Sequence, residues 1–374
     1  MASPDQLVGS LESLTPESFT TESERVRAWE QNWVNGATNA SIKTLIDAGI
    51  FAKWIKIGGR PAKAGNLAEL VNAVEILIKR MMRQISGQHL IVEVGEDKYA
   101  TTPWVEKLVS DPAFPSMYGE FYKNLNVAMF RTLPYFLGEN GFKNPTDVVS
   151  SNWQYMTGKS SSFFEDVGTN AELRNSFNDA IKCHSKYNLT PWPDVFPTDS
   201  LAQGAKPDGA LVVDMGGGKG HDLTKFNVRH PDAPQGSLIL QDVPDILKDM
   251  KPVGHISVQP HDFFQPQLVK GARAYFMHNV LHDWADPEVI QVLKNIPGAM
   301  ETGYSLILVH ESLISTLNPS PLVTVSDITV MACLSAKERT EKEWDKLFQE
   351  AGLRIIKIWK TVEAVESIIE AELA

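Results

Sequence analysis

The sequence predicts an α/β protein in which a doubly wound, mostly parallel sheet follows a smaller helical domain. Three observations support this prediction. Short β-rich apolar runs alternate with helical segments after about residue 205, which is typical of a sheet covered on both faces. One of these runs leads directly into a run of glycines. Before residue 110, two helical stripes and a hairpin follow one another in the order of a winged helix.

The composition is that of an ordinary folded protein. The chain has 374 residues, of which 43% are hydrophobic and 22% charged, so disorder and fibrous repeats are excluded. A formal net charge of −11 disfavours binding to nucleic acid or to an anionic membrane. The two cysteines, Cys183 and Cys333, form no CxxC pattern, and no secretory or membrane-spanning segment is evident. We expect a cytoplasmic protein without nucleic-acid or membrane partners.

The first 38 residues are polar and acidic, with scattered leucines and two tryptophans. This pattern predicts a helical arm, residues 1–38, that needs a partner surface; a frayed tail is the alternative.

Residues 39–110 are expected to form a winged-helix-like domain. Apolar residues at helical spacing in SIKTLIDAGIF, and again from residue 70 to residue 85, predict two packed helices. HLIVEV and KYATT predict two strands joined by an acidic turn. Winged helices often bind DNA, but Glu93, Glu96 and Asp97 around this hairpin favour a dimer contact or a lid over a substrate. Plain core packing is the alternative.

Residues 111–204 are rich in Phe, Trp, Tyr, Met and Pro. Aromatic rings with flexible methionines predict a helical region that lines a pocket for a flat, apolar molecule, although any helical core contains the same residues. The stretch from 188 to 210 is dense in Pro, Gly and Asp, which predicts a linker. The sheet domain is therefore expected to comprise residues 205–374.

The strongest functional motif is the apolar run LVVDM followed by GGGKG. Glycines permit positive φ and leave room for a ligand, and the N-terminus of the following helix offers free N–H groups. Gly216, Gly217 and Gly218 are therefore candidates for cofactor binding. Asp242 ends the next predicted strand, LILQD, where a carboxylate can accept hydrogen bonds from both ribose hydroxyls. A structural turn with a solvated Asp242 is the alternative.

Further candidates follow the next two predicted strands. Asp262 in QPHDFF is suited to the amine edge of an adenine whose ring stacks on Phe263. AYFM leads into HNVLHDW, and DPE then predicts a helix with Asp286 as its N-cap. His282 therefore lies on a loop at the carboxyl edge of the sheet, where ligands bind in open α/β folds. An imidazole there is suited to accept a proton, although packing or capping is the usual role of a lone loop histidine.

Two carboxylates are candidates to orient His282. Glu311 ends the predicted strand LILVHE, and Glu338 lies in KERTEKEW, where Thr340 is expected to cap a helix. Either would accept the Nδ1–H of His282 and leave Nε2 as a base; taken alone, both are surface carboxylates. His278 and His282 have the spacing of a zinc-binding helix, but the required glutamate is missing and the segment begins as a strand. We expect no metal.

Six segments in this order resemble the plant- and fungal-type O-methyltransferase family, which uses S-adenosylmethionine: VVDMGGGKGHDL, LQDVP, HDFF, GARAYFMHNVLHDW, ILVHESL and KERTEKEW. The resemblance covers the chain from about residue 40 to its end. It implies a Rossmann-like class I methyltransferase fold with an N-terminal winged-helix dimerisation domain. We therefore expect a homodimer that the N-terminal arm joins.

The same resemblance assigns the cofactor contacts. Gly216 and its neighbours would hold the amino-acid part of S-adenosylmethionine, Asp242 the ribose, and Asp262 with Phe263 the adenine. His278 lies where relatives often carry Lys or Arg near the adenine, which makes it a further candidate.

The implied reaction is methylation of a hydroxyl on an aromatic or polyketide-derived secondary metabolite. His282 would take the hydroxyl proton as general base, oriented by Glu311 and Glu338, while aromatic residues and Met331 clamp a flat phenolic substrate. Some fungal members of the family bind the cofactor but direct dehydration or pericyclic ring formation instead. The His282-Asp283 pair with both glutamates favours methylation over this alternative. A dimeric DNA-associated or regulatory module with an inactive cofactor site is a third possibility.

Overall fold

The structure, a computed structural model, describes residues 30–119, 121–187, 190–248, 254–361 and 365–374. The chain divides into two compact units, Met1–Lys123 and Asn124–Ala374. Among the residues that the structure describes, the first unit has one apolar core and the second has two. Residues 124–204, rich in aromatics, therefore group with the sheet that follows them in sequence.

The first unit consists of short helices and a small sheet. After a π-helical turn at Glu30–Val34, its helices are α1 (Asn35–Asp47), α2 (Ile50–Lys56), α3 (Ala64–Leu70), α4 (Glu75–Gly87), α5 (Pro103–Ser110) and α6 (Ala113–Ser116). Its strands are β1 (Ala62–Lys63), β2 (Val92–Gly95) and β3 (Lys98–Ala100), which pair antiparallel in the order β1-β3-β2. The predicted order of helices followed by a hairpin is present. Of the predicted arm, residues 1–29 lie outside the described residues.

The acidic turn of the hairpin is tied to helix α4. Asp97 has a positive φ of 51°, which a tight turn between two strands requires and Asp tolerates better than most residues. Its carboxylate accepts a hydrogen bond of 2.9 Å from Arg83 and pairs with Lys79. These two cations hold the pKa of Asp97 below its usual range, with the Lys79 hydrogen bond as the largest cause. Part of the negative charge predicted for the wing is thus neutralised within the unit.

The second unit is built on a seven-stranded sheet. Its strands are β4 (Val212–Met215), β5 (Leu238–Asp242), β6 (Ile256–Pro260), β7 (Ala274–His278), β8 (Leu306–Ser312), β9 (Leu353–Trp359) and β10 (Glu366–Leu373), in the order β6-β5-β4-β7-β8-β10-β9. The first five of these strands pair in parallel, whereas β10 pairs antiparallel with both β8 and β9. The predicted doubly wound α/β sheet is confirmed.

The second unit also contains helices. They are α7 (Ala128–Glu139), α8 (Asn152–Thr157), α9 (Phe163–Thr169), α10 (Ala171–Tyr187), α11 (Trp192–Val195), α12 (Asp199–Gln203), α13 (His221–Arg229), α14 (Pro244–Leu247), α15 (Asp286–Lys294), α16 (Pro321–Leu334) and α17 (Glu341–Glu350). Val213 and Met215 of β4 pack into one core and Val212 into the other, so both faces of the sheet are buried. Ligands of such a sheet bind at its carboxyl edge.

Two expectations need correction, and one strand was not predicted. The predicted linker is packed, because Trp192 and Leu201 are fully buried and Trp192 stacks on Phe226. Strand β10 was missed, although SIIEAEL combines β-branched residues with partial alternation. Asp286 does not act as N-cap: it is the first residue of α15, and its carboxylate binds Arg339 instead.

Among the described residues, no helix has the length and apolar character needed to cross a membrane.

Candidate active site

The glycine loop after β4 is tightly enclosed. Gly216 and Gly218 have positive φ values of 74° and 56°, which side chains rarely allow. A Cβ at Gly216 would lie 3.0 Å from Val280 and 3.4 Å from Phe263, and a Cβ at Gly217 would overlap the Asp214 carboxyl group. A Cβ at Gly218, by contrast, would meet open space. The backbone of the loop is therefore accessible at Gly218, whereas at Gly216 and Gly217 it packs closely against the protein.

Asp242 lies directly beside this loop. It ends β5, and its carboxylate accepts hydrogen bonds of 2.9 Å from the Gly218 N–H and 2.8 Å from the Val243 N–H. Burial raises the pKa of Asp242. The structure thus brings together the glycine loop and the acid that sequence reasoning had assigned to a ribose.

Asp214 is a further acid of this region that sequence reasoning did not select. It lies within β4 and is 1% exposed, and its Oδ2 has no hydrogen-bond partner among the described residues. Burial raises the pKa of Asp214 well above its usual range, and Asp222 adds to this effect. A charged residue inside an apolar strand was the signal available in LVVDM. An unpartnered buried carboxyl group beside a glycine loop fits a site for a polar cofactor.

Asp262 and Phe263 occupy the loop after β6. The Asp262 carboxylate is exposed and accepts a hydrogen bond of 2.9 Å from the Phe264 N–H. Phe263 is half-buried, and its ring lies 3.4 Å from the position that a Cβ at Gly216 would take. The ring centroids of Phe263 and Phe264 are 5.1 Å apart. Phe263 is thus in the same group as the glycine loop.

His278, by contrast, belongs to a second group. At the end of β7, its Nδ1 lies 2.7 Å from Asp222 and its Nε2 lies 2.9 Å from Glu366. Both ring nitrogens are therefore engaged by carboxylates, and neither is left for a cofactor in this arrangement. The adenine contact of His278 stays a prediction.

This second group is strongly charged. Burial alone would lower the pKa of His278, but Asp222 and Glu366 raise it well above its usual range. Against the effect of burial, His278 lowers the pKa of Glu366 to about 2. His310 stacks on His278 at 4.2 Å, and burial lowers its pKa to about 3. An imidazolium between two carboxylates, with a neutral histidine beside it, is the resulting charge state.

The loop that carries His282 is a short 3₁₀ turn, Leu281–Asp283, held by Glu311 and Glu338 in different ways. His282 Nδ1 lies 2.9 Å from Glu338 Oε1, which also accepts a hydrogen bond of 2.6 Å from Ser326. Glu311 Oε2 lies 3.8 Å from the same nitrogen, which is too long for a hydrogen bond. Glu311 Oε1 instead accepts the backbone N–H groups of Val280 at 3.1 Å and Leu281 at 2.9 Å. Glu338 thus contacts the ring, whereas Glu311 holds the loop backbone.

Several residues of the His282 group have pKa values raised above their usual range. Burial opposes a charge on His282, but the carboxylates of Asp283, Glu311 and Glu338 raise its pKa well above the usual range. Burial also raises the pKa of Glu311 to about 7 and that of Asp283 to about 6. His282 Nε2 lies 3.5 Å from Asp283 and makes no hydrogen bond among the described residues. With Nδ1 engaged, Nε2 is the nitrogen available to a substrate.

Among the described residues, two groups place three possible metal ligands within 4.8 Å of one another. One consists of His278, His310 and Glu366, and the other of His282, Glu311 and Glu338. In each group a histidine nitrogen already meets a carboxylate at 2.9 Å. The expectation of no metal stays a prediction.

A small cavity lies beside Asp283. Its lining residues come from the loop before α8, from the segment around Asp283 and from the end of α16: Thr146, Asp147, Val148, Asp283, Trp284, Ala285, Glu288 and Leu334. Of the aromatic residues predicted to line a pocket, Trp153 and Phe163 are buried against each other, whereas Tyr135 is 67% exposed and Tyr155 is 39% exposed.

Comparison with known proteins places the chain in one family. A family model described as the O-methyltransferase domain matches residues 142–354. The O-methyltransferase mfmE of Annulohypoxylon moriforme is 30% identical over 388 residues, which cover 99% of this chain and 96% of that relative.

Solved structures agree with this result. LepI in complex with S-adenosylmethionine is 25% identical, with a TM-score of 0.85 over 99% of this chain and 94% of that one. OxaC in complex with S-adenosylhomocysteine and oxaline is 27% identical, with a TM-score of 0.76 over 93% of this chain and 87% of that one. The sequence match, the fold and the glycine loop with its adjacent acid lead to one conclusion: the chain belongs to the S-adenosylmethionine-dependent O-methyltransferase family.

Proposed function

We propose that the chain methylates a hydroxyl group on a phenolic or polyketide-type secondary metabolite, with His282 as general base. The observation that carries this proposal is the hydrogen bond of 2.9 Å between His282 Nδ1 and Glu338, which leaves Nε2 for the substrate. A phenolic hydroxyl is a poor nucleophile until its proton is removed, so a held imidazole at the sheet edge is what the reaction requires.

The cofactor contacts are part of the same proposal. Gly216, Gly217 and Gly218 would hold the amino-acid part of S-adenosylmethionine, Asp242 the ribose, and Asp262 with Phe263 the adenine. The enclosed loop and the unpartnered Asp214 carboxyl group fit a cofactor that carries polar groups. When bound, S-adenosylmethionine supplies an electrophilic methyl group.

The remaining chemistry belongs to the protein. His282 Nε2 takes the proton of the substrate hydroxyl, while Glu338 keeps the other proton on Nδ1 and so selects the tautomer. Glu311 keeps the 3₁₀ turn in place through the amides of Val280 and Leu281. The carboxylates of Asp283, Glu311 and Glu338 stabilise the imidazolium that proton transfer produces.

We further propose that the protein acts as a homodimer in the cytoplasm and that residues 39–110 form the dimerisation domain. The outer strand of the hairpin supports a contact role, because Val92 and Val94 are each 50% exposed. Light scattering coupled to size-exclusion chromatography tests this: a mass near twice 41.5 kDa is expected, and a monomeric mass would overturn it.

The test of the reaction uses methyl-labelled S-adenosylmethionine with an extract of fungal secondary metabolites. Label in an aromatic ether, together with S-adenosylhomocysteine release, is the expected result. Conversion of a metabolite while the cofactor stays intact would overturn methylation in favour of the dehydratase or pericyclase alternative. Asp242→Ala is the matched control, because it should weaken cofactor binding measured by equilibrium dialysis.

A further inference from the structure

We propose that Arg339 is a positioning residue: its buried guanidinium holds the backbone of the loop Leu281–Trp284 so that the His282 ring meets Glu338. The importance of this for the reaction rests on the proposed function. The placement of the His282 ring is measured without a substrate. An experiment can therefore overturn the positioning role of Arg339 without overturning the proposed methyl transfer, and the reverse.

The contacts of Arg339 carry the inference. Its side chain is fully buried. Nη1 donates to the Leu281 carbonyl at 3.2 Å and Nη2 donates to the Trp284 carbonyl at 2.7 Å. Nε donates to Asp286 Oδ1 at 2.9 Å. The guanidinium therefore binds the residues immediately before and after the His282-Asp283 pair. It also binds the first residue of the helix that follows.

Only the arginine fork suits this arrangement. A guanidinium presents five N–H donors in fixed directions, whereas a lysine ammonium is a single point on a flexible chain. A buried cation is costly to retain, and the carboxylate that pairs with it among the described residues, that of Asp286, is 43% exposed. Packing against Trp344, whose ring centroid lies 5.2 Å away, would be served equally well by an apolar side chain. The loop carbonyls are what require a donor.

The position of Arg339 in the chain links it to the ring contact. Its neighbour Glu338 accepts the hydrogen bond of His282, so adjacent residues hold the side chain and the backbone of the same turn. The Arg339 carbonyl in turn accepts the Ile314 N–H at 3.0 Å, which anchors the segment to the chain that follows β8. Glu311, on β8, holds the turn from its amide side. The carbonyl groups of the turn are therefore held by the Arg339 donors, and its N–H groups are held by the Glu311 carboxylate.

The test replaces Arg339 by Lys, which keeps the charge but loses the fork. In protein with ¹⁵N-labelled histidine, the His282 ring signals are identified by their absence in His282→Gln. In Arg339→Lys, we expect His282 to titrate about one pH unit lower, because its contact with Glu338 loosens. The other carboxylates that face the ring, those of Asp283 and Glu311, are unchanged in this variant. The affinity for S-adenosylmethionine should stay within about threefold of the original value.

Lys337→Gln is the matched control. Lys337 also pairs with Asp286, at 3.1 Å, and with Glu343, at 2.9 Å, yet within the described part of the chain its side chain makes no hydrogen bond to the loop Leu281–Trp284. The Lys337→Gln variant should leave the pH at which His282 titrates unchanged. If Arg339→Lys leaves it in place as well, or if Lys337→Gln shifts it equally, the proposal is overturned.

If Arg339→Lys does not fold, Asp286→Asn keeps Arg339 and removes the carboxylate charge that pairs with it and with Lys337, so Lys337→Gln is again the control. Faster hydrogen exchange in residues 279–285 is then expected. Exchange that is unchanged in that segment would overturn the positioning role.

Discussion

His278 and His282 are four positions apart, and both meet carboxylates at hydrogen-bond distance, yet they are equipped for different tasks. Asp222 and Glu366 engage both nitrogens of His278. His282 has one nitrogen bound to Glu338 and the other 3.5 Å from Asp283. A histidine with both nitrogens engaged is a charged link between structural elements, whereas one with a single engaged nitrogen can exchange a proton with a substrate. The number of engaged nitrogens, rather than the presence of acids, separates the two roles.

The local backbone explains this difference. His278 is the last residue of β7, in register with His310 of β8, and its ring is enclosed between α13 and β10. His282 lies in the 3₁₀ turn beyond the strand, where the ring meets the segment that carries Glu338. His278 is therefore enclosed because it lies within β7, whereas His282 is placed at the edge of the sheet because it lies beyond the end of that strand.

The largest effect is expected from His282→Ala. Removal of a general base costs about 10²- to 10⁴-fold in rate, so methyl transfer should fall to near background. S-adenosylhomocysteine release measures it, and cofactor affinity should stay within about threefold because the glycine loop is untouched. Product formation at the original rate would show that His282 is not the base.

The next effect is on stability, from His278→Gln. This change leaves the buried Glu366 carboxylate without its cation and removes one of the cations that pair with Asp222, and breaking a buried pair costs about 3–5 kcal/mol. Urea unfolding should show the loss. His282→Gln, which removes the partner of one hydrogen-bonded carboxylate, is the comparison and should destabilise less. Equal losses in the two variants would contradict the distinction drawn between the histidines.

Acid should weaken the His278 group in a defined range. The folded pKa of Glu366 is about 2, below the usual value of 4.5, so its contribution is complete above that usual value and is lost as the pH falls through about 2. A shift of this size corresponds to about 3 kcal/mol. The free energy of unfolding, measured against pH, should fall in this range, and Glu366→Gln should flatten the curve. An equally steep fall in the variant would exclude Glu366 as its source.

The smallest effect concerns the pH dependence of activity. His282 must be neutral to accept a proton, and its pKa is raised, so the rate should increase with pH above neutrality. Glu338→Gln preserves an acceptor for Nδ1 but removes one negative charge. The rising limb of the pH–rate profile should then move to lower pH by about one unit. A limb that stays in place would mean that another group controls the rate.

Contacts between successive strand-loop units were predictable, and so was the contact of Glu338 with His282 across 56 positions, whereas the other distant contacts of the two histidines were not. Gly218 and Asp242 belong to successive strand-loop units of one sheet, so strand order and turn chemistry place them at the same edge. Asp222 and Glu366 were missed, because Glu366 is 88 positions from His278 and lies on a strand that was itself not predicted. The fully buried Arg339 was present in the ERT motif, but its bonds to the carbonyls of Leu281 and Trp284 follow only from folding.

The sequence by itself determined the parallel strands, the glycine loop and the acids at the strand ends, because hydrophobic periodicity and glycine conformation act over a few neighbouring residues. The tertiary structure alone decided which histidine keeps an available nitrogen and how Glu311 and Glu338 divide their tasks. Those properties depend on carboxylates brought from 30 to 88 positions away and on their burial, since burial sets how strongly each group holds its proton.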